Sequence, residues 1–121
     1  MNKKTILIVD DDSRNIFALT AVLKSKGFQV MSAQSANEGI NLLKNNTGIN
    51  IVLMDIMMPD MDGYEAMAQI RSNPSISGIP VIAVTAQAMV GDREKSIEAG
   101  ASAYISKPVD VDVLFDLLDQ Y

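Results

Sequence analysis

The sequence predicts an α/β fold, a five-stranded parallel sheet with helices packed on both of its faces. Three observations carry that expectation. Apolar runs recur along the chain and are continuous rather than alternating, as strands covered on both sides must be. The segments between them space their apolar residues three and four apart, the period of a helix with one buried stripe. The two kinds of segment alternate five times, and a chain that repeats strand and helix in this way forms a parallel sheet through right-handed crossovers.

The elements follow in order. "TILIVD", residues 5–10, is the first strand, and Ile16, Leu19 and Leu23 mark the first helix, which Gly27 is placed to close. "FQVMSA", 28–33, is the weakest strand and belongs near an edge; Ala36, Ile40 and Leu43 give the second helix. "NIVLMD", 50–55, is the third strand. The turn "MMPDMDG" then leads into a helix carrying Met67 and Ile70, with Asp62 as its N-cap and Gly63 at a close backbone approach. "PVIAVT", 80–85, is the fourth strand. The segment 88–99, with "GDREKS" as its exposed start, is a less apolar helix that Gly100 stops. "SAYIS", 102–106, is the fifth strand, and Leu114, Leu117 and Leu118 define the last helix. With no linker, low-complexity segment or long charge run, residues 1–121 read as a single domain.

Composition narrows the chemistry. A hydrophobic fraction of 48% beside 21% charged residues is that of a globular protein, and at 5% aromatic content the core must be filled by aliphatics and Met. Met54, Met57, Met58, Met61, Met67 and Met89 are accordingly read as mostly core or loop packing, with a Met-lined binding surface as the lesser alternative. A net charge of -5, with Lys and Arg scattered, argues against direct nucleic-acid binding. There is no Cys and no His, so thiol and imidazole chemistry are excluded and any reaction must run on carboxylates, hydroxyls and amines. "MNKKTILIVDDDSRN" lacks the pattern of a secretory signal, and no apolar run reaches the roughly 20 residues that span a bilayer. A cytoplasmic protein without a membrane segment is expected.

In open α/β sheets functional groups gather beyond the carboxyl ends of the strands. Those ends carry Asp10 and Asp11, Asp55, Thr85 and, just past the fifth strand, Lys107. "NIVLMDIMMPDMDG" poses the question sharply, because Asp55 ends an apolar strand where a carboxylate does little for solubility. Carboxylates brought this close repel, so either protons or a cation must hold them; an oxygen-only set favours Mg2+, or similarly Mn2+ or Ca2+. A purely structural reading of Asp10, Asp11 and Asp12 is the start of the first helix, and for Asp12 an N-cap role is preferred. Calcium-loop spacing fails: starting at Asp10 it meets Arg14, and centred on Gly63 it begins at Met58 and ends at Gln69. No glycine-rich phosphate loop is present.

"ILIVDDD", "VLMDIMMPDMDGYE", "PVIAVTA" and "YISKPV" together resemble the receiver domain of bacterial two-component response regulators, over essentially the whole chain. "VTAQAMVGDREKSIEAGASAYISKPV" is especially similar to receivers of hybrid histidine kinases. The resemblance implies a doubly wound, flavodoxin-like sheet of order 2-1-3-4-5, an order that comes with the family and not from spacing. It implies that Asp55 is the phosphoacceptor, and that Asp10, Asp11, Asp55 and the Met57 main-chain carbonyl hold Mg2+. It implies further that Thr85 and Lys107 bind the phosphoryl group, that Lys107-Pro108 is a cis peptide, and that Tyr104 reorients with Thr85 as the switch. The partner would be a histidine kinase or histidine phosphotransfer protein. The signal would leave through residues 86–121, to a separate output protein or within a parent hybrid kinase. Met57 and Gln87 occupy positions that tune phosphoaspartate lifetime in the family; neither is acidic, which points to slow dephosphorylation.

Two other readings compete. "ILIVDDDS" also has the Asp-x-Asp array of haloacid dehalogenase-like phosphatases, which would make Asp10 the nucleophile but leaves Asp55 and Lys107 without roles. A docking module without chemistry would not need all the site residues that are present.

Overall fold

The computed structural model describes residues 4–86 and 91–121. Strands and helices alternate as β1 Thr5–Val9, α1 Ser13–Ser25, β2 Gln29–Ala33, α2 Ala36–Asn45, β3 Ile49–Asp55, α3 Gly63–Ser72, β4 Val81–Thr85, α4 Asp92–Ala99, β5 Ala103–Ser106 and α5 Val111–Asp119. All strand pairs are parallel and the spatial order is β2-β1-β3-β4-β5, the order that the resemblance implies. The weakly apolar β2 lies on an edge, as its composition predicts, with only Ala33 fully buried. Gln87 and Met89, like the rest of 87–90, fall outside the described residues.

Strand alternation divides the core in two. Leu7, Val9, Val52, Met54, Val81 and Ala83 face one side, where Ile40 and Leu43 of α2 and Met67 and Ile70 of α3 cover them. Ile6, Ile8, Ile51, Leu53, Ile82 and Val84 face the other, beneath Leu19 and Leu23 of α1 and Leu114 and Leu118 of α5. Truncating a fully buried side chain such as Leu23 or Met67 to Ala therefore costs about 2–5 kcal/mol. Not every Met packs away: Met54, Met58 and Met67 are buried, but Met57 is 53% exposed, because the turn after β3 carries its side chain outward. Met57 is thus a loop Met that does not pack into the core.

Helix starts are set by short polar side chains. Asp12, Ser35, Asp62 and Asp110 each accept a hydrogen bond from a first-turn N–H of α1, α2, α3 and α5. Asp12 thus has the capping role its position predicts, adding an exposed ion pair to Arg14 at 3.3 Å. The exception is α4, whose N-cap is Gly91 at φ +95° with no side-chain cap bond. Gly27 and Gly100, at φ +89° and +120°, stop α1 and α4 in the left-handed region that side chains avoid. No helix among the described residues is long and apolar enough to cross a membrane.

Candidate phosphoacceptor site

The site lies at the carboxyl edge of the sheet, where backbone bonds carry the ladder one step past the strands. Asp10 N–H donates to Ala33 O, Ile56 N–H to Val84 O, and Lys107 N–H to Thr85 O. Each carboxylate is therefore mounted on a rigid strand end and not on a free loop. Gly63 completes the mounting: its N–H donates to Ile56 O at 3.0 Å, and a Cβ there would sit 2.6 Å from the Asp55 carbonyl oxygen. Only glycine lets α3 start this close to β3, the close approach expected of it.

Asp10 and Asp55 are 3% and 4% exposed, whereas Asp11 is open to solvent. Asp10 is fixed by three donors. Its Oδ1 accepts from Asp12 N–H at 2.8 Å, and its Oδ2 accepts from Asn15 Nδ2 at 2.9 Å and from Lys107 Nζ at 3.4 Å. Asp55 is held more lightly, with Oδ1 accepting from Met57 N–H at 3.1 Å and Oδ2 3.6 Å from Lys107 Nζ. One ammonium group thus faces both buried carboxylates. Burial first, and the Asp10 charge second, push the Asp55 carboxyl up from 3.8 to about 6, against the pull of Lys107 and the Met57 N–H.

Asp10, Asp11 and Asp55 can each turn a carboxylate oxygen to within 4.8 Å of the others. Three oxygen donors at this spacing, in a chain with neither imidazole nor thiolate, form a donor set suited to one hard divalent cation. Lys107 set against three acids leaves a negative excess that such an ion would neutralise.

The remaining predicted residues lie on neighbouring elements. Thr85 is buried at the end of β4, opposite Ser106 in the ladder. Tyr104 pairs with Ala83 two steps back, so it shares Thr85's face of the sheet, and it is half-buried against the α2–α3 core. Thr85 also lines an open crevice of about 500 Å³ with Met57, Asp62, Tyr64 and Lys95, where Lys95 Nζ lies 4.5 Å above the Tyr64 ring. The peptide Lys107-Pro108 is cis, as the resemblance implies. Asp12 is the one acid of the "DDD" run turned away from the cluster, engaged by α1 and Arg14. Asn15 was not singled out by its sequence. Its place three residues after the N-cap Asp12, on the first turn facing back to Asp10, is the signal that identifies it.

A family model for the response regulator receiver domain matches residues 6–119. The chain belongs to this family. Among its relatives, the receiver is 37% identical to protein PilH of Pseudomonas aeruginosa over 114 residues, which is 94% of this chain and 93% of PilH. It is 38% identical over 117 residues to the signal transduction histidine-protein kinase BarA of Escherichia coli, covering 97% of this chain and 13% of BarA. The BarA match runs along nearly the whole chain and so takes in residues 84–109, the stretch that resembles receivers of hybrid histidine kinases. A solved receiver domain protein from Methanospirillum hungatei superposes with a TM-score of 0.87 at 34% identity, covering 98% of this chain and 93% of that one.

Proposed function

We propose that this receiver is a phosphoacceptor switch in which Asp55 takes a phosphoryl group from a phosphohistidine on a histidine kinase or histidine phosphotransfer protein. The observation that carries this reading is the shared Lys107 ammonium, 3.4 Å from Asp10 and 3.6 Å from Asp55, beside three carboxylates on one rigid edge. In the transfer, an Asp55 oxygen bonds to phosphorus while the P–N bond to the donor imidazole breaks, its electron pair leaving with the nitrogen. At neutral pH a carboxyl with a pKa of about 6 is mostly ionised and ready to attack. Lys107 neutralises charge on the transferred oxygens, and Thr85 donates its hydroxyl to one of them.

Mg2+ bound by Asp10, Asp11, Asp55 and the Met57 carbonyl would supply the remaining positive charge. Asp10, clamped by Asn15 and the Asp12 N–H, orients that set. Once Thr85 bonds the phosphoryl group, Tyr104, on the same face, moves toward the space beside it, and the surface of α4, β5 and α5 changes. The domain reads as cytoplasmic. Its similarity to PilH over most of that protein and to BarA over a small part supports either a separate output protein or a parent hybrid kinase as the recipient.

The competing nucleophile is Asp10. Against it, Asp10 is held by three donors and Asp12, its expected acid partner, is spent on capping α1. Borohydride reduction converts an aspartyl phosphate to homoserine, so peptide mapping of the protein labelled by acetyl phosphate decides between them. Homoserine at position 55 supports the proposal; homoserine at position 10 overturns it.

A further inference from the structure

Arg71, near the end of α3, is half-buried and forms no ion pair among the described residues. Its guanidinium is spent on main-chain carbonyls. Nε and Nη2 donate to Gly100 O at 2.9 and 2.6 Å, and Nη1 donates to Ser77 O and Ile79 O at 2.8 and 2.6 Å. The planar fork of an arginine suits this two-sided grip, because its donors point in fixed directions and its charge strengthens each bond. One side chain therefore ties the turn after α4 to the segment that enters β4, on the edge of the sheet opposite Asp55.

The turn after α4 is fixed in other ways too. Gly100 and Ala101 N–H donate to Ile97 O and Ser96 O at 3.0 Å, closing the helix. Ser102 N–H donates to Val81 O at 2.7 Å. Tyr121 Oη donates to Ser102 O at 3.1 Å. A Cβ at Gly100 would lie 2.7 Å from Arg71 Cγ, so side chain and turn are already in contact.

The other end of α4 is built differently. Its N-cap is Gly91, with no side-chain bond to the first turn. Within the helix Ser96 is fully buried, yet its hydroxyl has no hydrogen-bond partner among the described residues, where an apolar side chain would pack without that cost. The helix is thus fastened at its C-terminal end through Gly100, while its first turn meets α3 through Lys95, whose Nζ lies 4.5 Å above the Tyr64 ring.

Resting on the phosphoacceptor reading above, we propose that Arg71 is a positioning residue that pins the C-terminal end of α4, so that modification of Asp55 moves its first turn about a fixed joint at Gly100. The pin touches no reacting group: it joins the Gly100 carbonyl to the Ser77 and Ile79 carbonyls that precede β4.

Hydrogen exchange read by mass spectrometry tests this on the full chain, wild type and Arg71→Lys, each with and without acetyl phosphate and Mg2+. Gly100→Ala attacks the same joint from its other side, and circular dichroism melts establish that each variant folds. In the unlabelled proteins, Arg71→Lys should speed exchange at the Gly100 and Ala101 amides roughly tenfold, the effect of losing about one charge-assisted bond net once the Lys ammonium re-forms part of the grip, while exchange in β1 and β3 is unchanged. In labelled wild type, the change should fall in residues 91–95 and spare 97–101; in Arg71→Lys it should spread to both. Equal exchange at Gly100 and Ala101 in the unlabelled wild type and Arg71→Lys overturns the pin, and so does a uniform change along α4 in labelled wild type. Intact mass of the same samples separates the two claims: if no phosphoryl group is added, the reading of Asp55 falls and the pin is judged on the unlabelled proteins.

Discussion

Replacing Asp55 by Asn should make the protein more stable near neutral pH in the absence of divalent ions. The Asp55 carboxyl is raised from 3.8 to about 6, by burial and by the charge of Asp10. Its folded form holds the proton more tightly than the unfolded chain does. As pH rises from about 4 to about 6, the unfolded chain has already released this proton, so folding becomes less favourable; above about 6 the penalty is constant. A shift of about two units corresponds to roughly 3 kcal/mol, and solvent screening at the open edge of the sheet reduces this to about 1–2 kcal/mol. Asn keeps the acceptor that Met57 N–H needs at 3.1 Å and removes the charge that faces Asp10. Urea denaturation followed by circular dichroism, in a chelating buffer at several pH values, should show the Asp55→Asn variant ahead by about 1–2 kcal/mol near pH 7, or roughly 4–8 °C in Tm. The difference should shrink towards zero near pH 4. A gain that does not depend on pH, or a less stable variant at neutral pH, would refute the reasoning that burial and Asp10 govern this group.

Other outcomes follow from the same geometry. Lys107→Met should raise the Asp55 pKa further, by removing the cation 3.6 Å away, and should abolish most labelling; carboxyl NMR titration and intact mass check the two effects. Gly63→Ala should cost about 1–3 kcal/mol in denaturation, because its Cβ would meet the Asp55 carbonyl at 2.6 Å, and an unchanged midpoint would mean that α3 can shift freely. Asn15→Ala removes a 2.9 Å bond to Asp10 and should weaken Mg2+ binding several-fold in calorimetry, at a stability cost of about 1 kcal/mol. The phosphorylated protein should lose its label over minutes or longer, since exposed Met57 offers no group to orient water; a half-life of seconds by mass spectrometry contradicts this.

The parts of the fold that were legible in sequence are those where one physical cause acts alone. Strands buried on both faces must be continuously apolar, so β1, β3, β4 and β5 could be placed to within a residue, and the edge strand β2 announced itself by being weaker. The candidate cluster was legible because the topology sends every strand's carboxyl end to one edge, which brings Asp10, Asp11, Asp55 and Lys107 together across nearly a hundred residues and sets Thr85 at the end of β4. Arg71 and Asn15 were not, because their roles depend on partners that only the packed helices supply: a carboxylate reached across the first turn of α1, and carbonyls on two other loops. The exposure of Met57 was hidden for a similar reason, since residue type does not reveal which way a turn carries its side chain.

Intact mass after incubation with acetyl phosphate, with and without Mg2+, on wild type and Asp55→Asn decides whether Asp55 is a metal-assisted phosphoacceptor. Wild type with Mg2+ should gain one phosphoryl group and the other three samples none. Labelling of Asp55→Asn to the same extent as wild type would contradict it.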